Sequence, residues 1–135
     1  NAELVGGLLS FRPHNNGFEL LRIGGNNDGG YLVPDDFLEV EACFSAGSDR
    51  LMNFESDLAR KYGIKSFILD TVDKIPEELT ESQSFRDGWL GTVTNDKTIT
   101  LEDWLAVSNQ FESSNLILQM ELRVCLQLFI WKKLD

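Results

Sequence analysis

A strand, a glycine turn, a helix and a second strand follow one another between residues 41 and 71. Glu41–Phe44 is short and apolar, and Ser45–Asp49 supplies small, turn-forming residues around Gly47. A helix is predicted to begin in this turn and to end at Gly63 in the left-handed conformation. Its apolar stripe, at steps of three and four residues, consists of Leu51, Phe54, Leu58 and Tyr62.

The second strand of this unit is predicted over Ile64–Leu69, with Asp70 at its end. It should be buried and parallel to the first strand, because a helix crossover returns the chain in the same direction. This stretch therefore predicts a βαβ unit, which limits the fold to classes built on a parallel sheet.

The segments on either side continue the alternation. Leu20–Gly24 and Tyr31–Val33 are predicted to form a hairpin-like lead-in. Phe85–Thr94 suits a third strand or the approach to one, Thr100–Asp103 resembles a capping box before another helix, and Leu116–Met120 is predicted as a further strand. The pattern favours an α/β fold, with a parallel sheet covered by helices on both faces.

Length and charge exclude several classes of protein. With 135 residues and 42% hydrophobic content, one domain is expected. The 22 acidic and 12 basic residues give a net charge of −10, which argues against a nucleic-acid partner. Neither a signal peptide nor a membrane span is visible, so a cytoplasmic protein without a membrane partner is expected. Cys43 and Cys125 are expected to remain reduced, without a disulfide.

Ligands of open parallel sheets bind outside the carboxyl ends of the strands, so the loop at Ser45–Asp49 and Asp70 should face one crevice. Asp70 follows Gly47 by 23 positions, close to the roughly 20-residue spacing of dinucleotide folds. The loop holds one glycine where that fingerprint needs three, so a pyrophosphate is disfavoured. A cofactor with a ribose and no phosphate, such as S-adenosylmethionine, suits this loop better. The alternative is a solvated carboxylate at a strand end.

Other kinds of site are not predicted. His14 is the single histidine and is expected on the surface or in a turn, so no metal site is assigned. Asp28, Asp35 and Asp36 lack the pattern of a calcium loop. Ser45 is not part of a Gly-x-Ser-x-Gly elbow, and a serine hydrolase is therefore not expected.

Seven short segments, spread over about residues 17 to 120, occur together in a specific order. They are Arg22–Gly24, Asp28–Tyr31, Cys43–Gly47, Phe54–Ala59, Phe67–Asp70, Thr100–Leu105 and Leu116–Met120. In this order they resemble the FkbM-type methyltransferases, and the last two segments are the most distinctive.

The resemblance implies a Rossmann-like class I fold that binds S-adenosylmethionine. It also implies methyl transfer, commonly to a hydroxyl of a sugar, glycan or small natural product. The residues implied to contact the cofactor are Phe44, Ser45, Ala46, Gly47, Glu55 and Asp70. The first four would hold its methionine and ribose end, and Asp70 its ribose hydroxyls. An alternative for Glu55 is an exposed carboxylate in the first helical turns, where the helix dipole favours acids. No catalytic base is implied.

The resemblance ends after Met120. The family pattern continues Asp-x-Glu-Gly, whereas this chain reads Glu121–Val124. The sheet is therefore predicted to be incomplete after its fourth strand. Residues 1–40 would form a lead-in, 41–120 the cofactor-binding core and 121–135 a divergent tail. Back-translation of Glu121–Val124 permits bases that encode Ile-Glu-Gly in a shifted frame, so loss of one base is a hypothesis. Cys125–Trp131 as a natural terminal strand or helix is the alternative.

Two functions from different classes follow. The first is an S-adenosylmethionine-dependent enzyme that O-methylates a small molecule or glycan. The second is a non-catalytic remnant or interaction module whose sheet is completed by a partner or a second copy. An exposed sheet edge favours such a homo-oligomer.

Overall fold

The computed structural model describes residues 17–27, 29–48, 51–71, 79–107, 115–122 and 126–133. Along the chain the elements are β1 (Leu20–Ile23), β2 (Tyr31–Pro34), β3 (Ala42–Ala46), α1 (Asn53–Tyr62), β4 (Lys65–Asp70), β5 (Gln83–Asp87), β6 (Trp89–Leu90), β7 (Thr98–Ile99), α2 (Leu101–Val107), β8 (Asn115–Leu122) and β9 (Leu126–Lys133).

The central sheet has five strands in the order β5-β4-β3-β8-β9. β3 is the middle strand and runs parallel to β4 on one side and to β8 on the other. β5 extends the sheet in parallel beyond β4. The predicted α/β fold is confirmed. Counted from β3, the parallel strands stand in the order 3-2-1-4, as in the first half of doubly wound dinucleotide-binding sheets.

The prediction that the sheet stops after its fourth strand is wrong. β9 lies beside β8 in antiparallel register, with Leu122 opposite Leu126 and Asn115 opposite Lys133. Because β8 reaches Leu122, the residues that depart from the family pattern begin inside a strand. Antiparallel strands can be joined by a short connection, whereas parallel strands need a long crossover. β9 follows β8 closely in the chain, so it can pair with β8 only in the antiparallel direction.

The first strand of the βαβ unit continues past its predicted end at Phe44. Ser45 and Ala46 pair with Ile68 and Leu69 of β4, and they also pair with β8. Ladder partners on both sides satisfy the backbone of residues whose composition favours a turn. The turn begins only at Gly47, where φ is 81°.

Helix α1 begins later than predicted, at Asn53. Met52 precedes it in the left-handed conformation with φ of 45°, and its side chain is buried. Leu51 therefore lies outside the helix and is 73% exposed, so its predicted place in the apolar stripe is wrong. Phe54 and Leu58 are buried in the core as predicted.

The predicted ends of two helices are confirmed. Gly63 closes α1 with φ of 70° and donates its N–H to the carbonyl oxygen of Ala59 at 3.0 Å. At the start of α2, Thr100 Oγ1 accepts the N–H of Asp103 at 3.2 Å. In a capping box the Asp103 carboxylate would accept the Thr100 N–H directly. Here Thr94 stands between them: its hydroxyl accepts the Thr100 N–H and donates to the Asp103 carboxylate.

Helices cover both faces of the sheet, as predicted. On one face, α1 and the antiparallel β1–β2 hairpin pack over Cys43. On the other face, α2 packs over Phe44 through Trp104, whose ring meets that of Phe44 edge-on at 5.2 Å. Phe44 also stacks on Phe67 at 5.0 Å. Neither of the described helices is long and apolar enough to cross a membrane.

Candidate functional site

Hydrogen bonds join the turn after β3 to the carboxyl end of β4. The Gly47 N–H donates to the carbonyl oxygen of Leu69 at 2.9 Å. The Ser48 N–H donates to Oδ2 of Asp70 at 2.9 Å, and the Thr71 N–H donates to Oδ1 at 2.7 Å. The structure thus brings together Gly47 and Asp70, which sequence spacing placed at one crevice.

Asp70 lies deeper than a solvated strand-end carboxylate would. Its side chain is 0% exposed, and the two oxygens accept backbone N–H groups from the loop after β3 and from the residue after β4. Hydrogen bonds to an ionised acceptor are among the stronger ones in proteins. Asp70 therefore fixes the shape of the loop at the carboxyl edge of the sheet.

Ser48 lies in the loop Ser45–Asp49 that the sequence placed at the crevice, but it was not among the residues implied to contact the cofactor. It is 4% exposed, and its Oγ has no hydrogen-bond partner among the described residues. Buried hydroxyls are nearly always satisfied, so one without a partner points to a ligand or water that completes it. The available signal was its position directly after Gly47, whose positive φ turns the next N–H toward Asp70.

Ser45, Glu55 and Cys43 form a buried polar cluster under α1. The Ser45 hydroxyl donates to Oε1 of Glu55, and both side chains are buried. Burial raises the pKa of the Cys43 thiol well above its usual value. The Glu55 carboxylate raises it further, against a hydrogen bond with Ser45. The alternative that Glu55 is an exposed carboxylate is wrong, because it is 2% exposed.

Phe44 and Ala46 project from the opposite face of β3, because successive strand residues alternate between faces. Both belong to the apolar cluster around Trp104. Their side chains build the core under α2 rather than the polar cluster under α1. The six predicted residues thus fall into three pairs: Gly47 with Asp70, Ser45 with Glu55, and Phe44 with Ala46.

The turn between β1 and β2 packs against the start of α1. The Gly24 N–H donates to Oδ2 of Asp57 at 3.0 Å. A Cβ on Gly24 would lie 1.8 Å from the carbonyl oxygen of Gly29 and 3.1 Å from Cα of Phe54, so only glycine fits there. Tyr31 meets the Phe54 ring edge-on at 5.6 Å. The amino end of α1 follows the carboxyl end of β3, which places this turn at the same edge of the sheet as Asp70.

Asp57 is an anchoring carboxylate at this junction. Burial alone would raise its pKa, but the hydrogen bonds from Gly24 and Lys61 and the positive charges of Lys61 and Arg60 outweigh it. The pKa of Asp57 is therefore lowered. Asp57 remains charged at neutral pH and holds the lead-in hairpin on α1.

In the part of the chain that the structure describes, no group of three or more His, Cys, Asp and Glu side chains could hold a metal ion. Comparisons of the chain with models of protein families, with curated proteins and with solved structures gave no match. The resemblance to FkbM-type methyltransferases therefore stays a prediction.

Proposed function

We propose that this protein binds S-adenosylmethionine at the carboxyl edge of its sheet and is a methyltransferase for a hydroxyl of a sugar, glycan or small natural product. One observation carries the proposal. The strands stand in the order 3-2-1-4, and the loop held by Asp70 lies where that order reverses. The chain runs from β3 to β4 and β5 on one side and then crosses to β8 on the other. Ligands of open α/β sheets bind at such a reversal.

The residues at this edge fit a ribose-bearing cation. The buried Ser48 hydroxyl can both donate to and accept from a ribose hydroxyl. The Asp70 carboxylate lies 2.9 Å from the Ser48 N–H, and its negative charge disfavours a phosphate and favours a sulfonium nearby. A net charge of −10 also favours a cationic ligand over a polyphosphate.

The residues of the chain would act by binding and orienting. Ser48 and Asp70 would hold the ribose, and the turn at Gly47 would let the backbone approach it. The Ser45–Glu55 hydrogen bond fixes β3 against α1, the two elements between which this loop runs. When bound, S-adenosylmethionine supplies a methyl group activated by its sulfonium. The chain would accelerate transfer by aligning the acceptor oxygen with that methyl group, and the transfer would release S-adenosylhomocysteine and pass the hydroxyl proton to water.

Calorimetric titration tests the proposal. We expect saturable binding of S-adenosylmethionine and S-adenosylhomocysteine, and no binding of NAD, whose pyrophosphate the single-glycine loop does not accommodate. Asp70→Asn should weaken S-adenosylmethionine binding by about tenfold or more, because an amide cannot accept both backbone N–H groups. Asp103→Asn is the matched control, since Asp103 bonds Thr94 at the start of α2.

Asp70→Asn could lose binding because it folds poorly, so Ser48→Ala is a second test. It removes an unpartnered hydroxyl and leaves the Asp70 hydrogen bonds in place. It should also weaken binding, with unchanged circular dichroism. Absence of saturable binding to the native chain at millimolar S-adenosylmethionine contradicts the proposal. That result favours the non-catalytic interaction module instead.

A further inference from the structure

Arg22 is an exposed cation at the end of β1, in a chain of net charge −10. Its Nη1 donates to the carbonyl oxygens of Gly25 at 3.3 Å and of Gly30 at 3.0 Å. Among the described residues, Nη2 and Nε make no hydrogen bond. The guanidinium edge formed by Nη2 and Nε is the pair of donors that can receive a carboxylate in a bidentate arrangement.

The turn that holds Arg22 is tightly closed. A Cβ on Gly30 would lie 2.2 Å from the carbonyl oxygen of Gly25, and the Gly30 N–H donates to the carbonyl oxygen of Asn27 at 3.1 Å. The two carbonyls that fix Nη1 therefore belong to a compact backbone. A guanidinium held in this way loses little further conformational entropy when an anion binds.

Helix α1 is hydrogen-bonded both to this turn and to β5. Ser56 accepts a hydrogen bond from Nε2 of Gln83 in β5 at 3.2 Å. Asp57, the next residue, accepts the Gly24 N–H of the turn. Neighbouring helix positions point about 100° apart, so these bonds mark two different flanks of α1. The turn therefore packs on a different flank of α1 from the one that meets β5.

The positions of the turn and of β5 on α1 also give the order of Asp70, the Gly47 loop and Arg22 along the carboxyl edge. Asp70 belongs to β4, which lies between β3 and β5 in the sheet. Arg22 lies on the other flank of α1, and the loop at Gly47 and Ser48 leads into that helix. A ligand with its ribose at Asp70 that extends across this loop brings its far end toward Arg22.

We propose that Arg22 binds a carboxylate of the ligand at this edge. The inference rests on the proposed function, which supplies the ribose position. Two sources share this chemistry: the amino-acid end of S-adenosylmethionine and an acidic sugar acceptor. In either case the planar guanidinium donates two parallel N–H bonds to the carboxylate.

The first arm of the test compares S-adenosylmethionine with 5′-methylthioadenosine, which lacks the amino-acid end. Arg22→Gln should weaken S-adenosylmethionine binding by about tenfold or more and leave 5′-methylthioadenosine unchanged. Arg22→Lys should restore only part of the affinity, because an ammonium keeps the charge without the fork. Lys65→Gln is the control, since it removes an equal exposed charge at the amino end of β4.

The second arm distinguishes the source of the carboxylate. If Arg22→Gln leaves S-adenosylmethionine binding unchanged, D-glucuronate and D-glucose are titrated into the chain saturated with S-adenosylhomocysteine. If Arg22→Gln loses binding of glucuronate but keeps that of glucose, relative to the native chain, the carboxylate belongs to the acceptor.

Two results overturn the inference. Unchanged binding of both S-adenosylmethionine and glucuronate in Arg22→Gln shows that no carboxylate binds there. Equal losses for S-adenosylmethionine and 5′-methylthioadenosine show that Arg22 only closes the turn. If the native chain binds neither nucleoside, the proposed function fails, and the glucuronate titration of the native and Arg22→Gln chains still decides the role of Arg22.

Discussion

The hydroxyl of Ser45 on the central strand donates a hydrogen bond to the carboxylate of Glu55 in the first turns of α1. Both side chains are buried, at 0% and 2% exposure. A buried carboxylate is costly unless donors surround it, so this bond ties the helix to the strand at the point where the loop of the candidate site leaves the sheet.

Removing this donor should destabilise the fold. We expect Ser45→Ala to lower the free energy of unfolding by about 1–3 kcal/mol, because it withdraws a hydrogen bond from a buried carboxylate. Urea unfolding of Ser45→Ala, Glu55→Gln and the double variant forms a cycle, in which a coupling of about 0.5 kcal/mol or more is expected. Ser84→Ala on the exposed side of β5 should be close to neutral. Strictly additive losses would show that the two side chains do not interact.

Ser48 and Ser66 provide a matched pair. Both are buried, and neither hydroxyl has a partner among the described residues. Replacing either with alanine should leave stability unchanged or raise it by up to about 1–3 kcal/mol, because an unsatisfied hydroxyl no longer has to be desolvated. Only Ser48→Ala should weaken S-adenosylmethionine binding, since Ser66 lies near the amino end of β4. Equal affinities in the two variants would exclude Ser48 from the site.

Alanine substitutions at Gly24 and Gly25 distinguish the cost of a left-handed backbone from the cost of a steric clash. Both have φ near 90°, at 90° and 89°. An alanine Cβ at Gly25 meets nothing within 4 Å, whereas one at Gly24 meets the carbonyl oxygen of Gly29 at 1.8 Å. We expect Gly25→Ala to cost about 1–2 kcal/mol of unfolding free energy through its left-handed backbone alone. Gly24→Ala should cost at least about 1 kcal/mol more, because the turn must open. Equal thermal melts for the two variants would contradict the close packing of this turn.

Local signals predicted much of this fold. Apolar runs predicted β3, β4 and β8, whereas the predicted strand Phe85–Thr94 overlaps β5 only from Phe85 to Asp87. Gly63 marked the end of α1 because glycine takes a positive φ at low cost. The parallel order of β3 and β4 followed from the length of the helical crossover. These features depend on residues close together in the chain, where periodicity and turn chemistry act directly.

Features that depend on distant partners could not be predicted in this way. Leu51 fits the helical period, yet the left-handed Met52 excludes it from α1. For Glu55 the sequence left an exposed carboxylate open as an alternative to cofactor contact, because acids favour helix starts, whereas its burial depends on a hydroxyl ten residues earlier. The bond between Ser48 and Asp70 spans 22 positions and has no signature beyond the glycine before it. Tertiary pairing overrode local preference in each case.

Protonation of Asp57 should lower the stability of the fold at acid pH. Its pKa in the folded chain is lowered, so it contributes stability above its unfolded pKa of about 3.9. That contribution is lost as the pH falls through the lower folded value. We expect Asp57→Asn to be less stable at pH 7 and to show a shallower loss of stability below about pH 4 in urea titrations. Asp35→Asn, which removes an exposed carboxylate, is the control. An unchanged acid slope in Asp57→Asn would show that another group causes the decline.

Ionisation of Cys43 should limit the stability of the fold at alkaline pH. Burial, with the Glu55 carboxylate adding to it, raises the pKa of this thiol in the folded chain, although its hydrogen bond with Ser45 acts in the opposite direction. A raised folded pKa contributes stability that is fully present below the unfolded pKa of about 8.5 and is lost as the pH rises toward the folded value. We therefore expect the urea midpoint to fall above about pH 8.5, and this fall to be smaller in Cys43→Ala. In a Cys125→Ser background, a thiol reagent at pH 8 should modify Cys43 only as fast as the chain unfolds. Modification at the rate of an exposed thiol would show that the polar cluster under α1 is open to solvent.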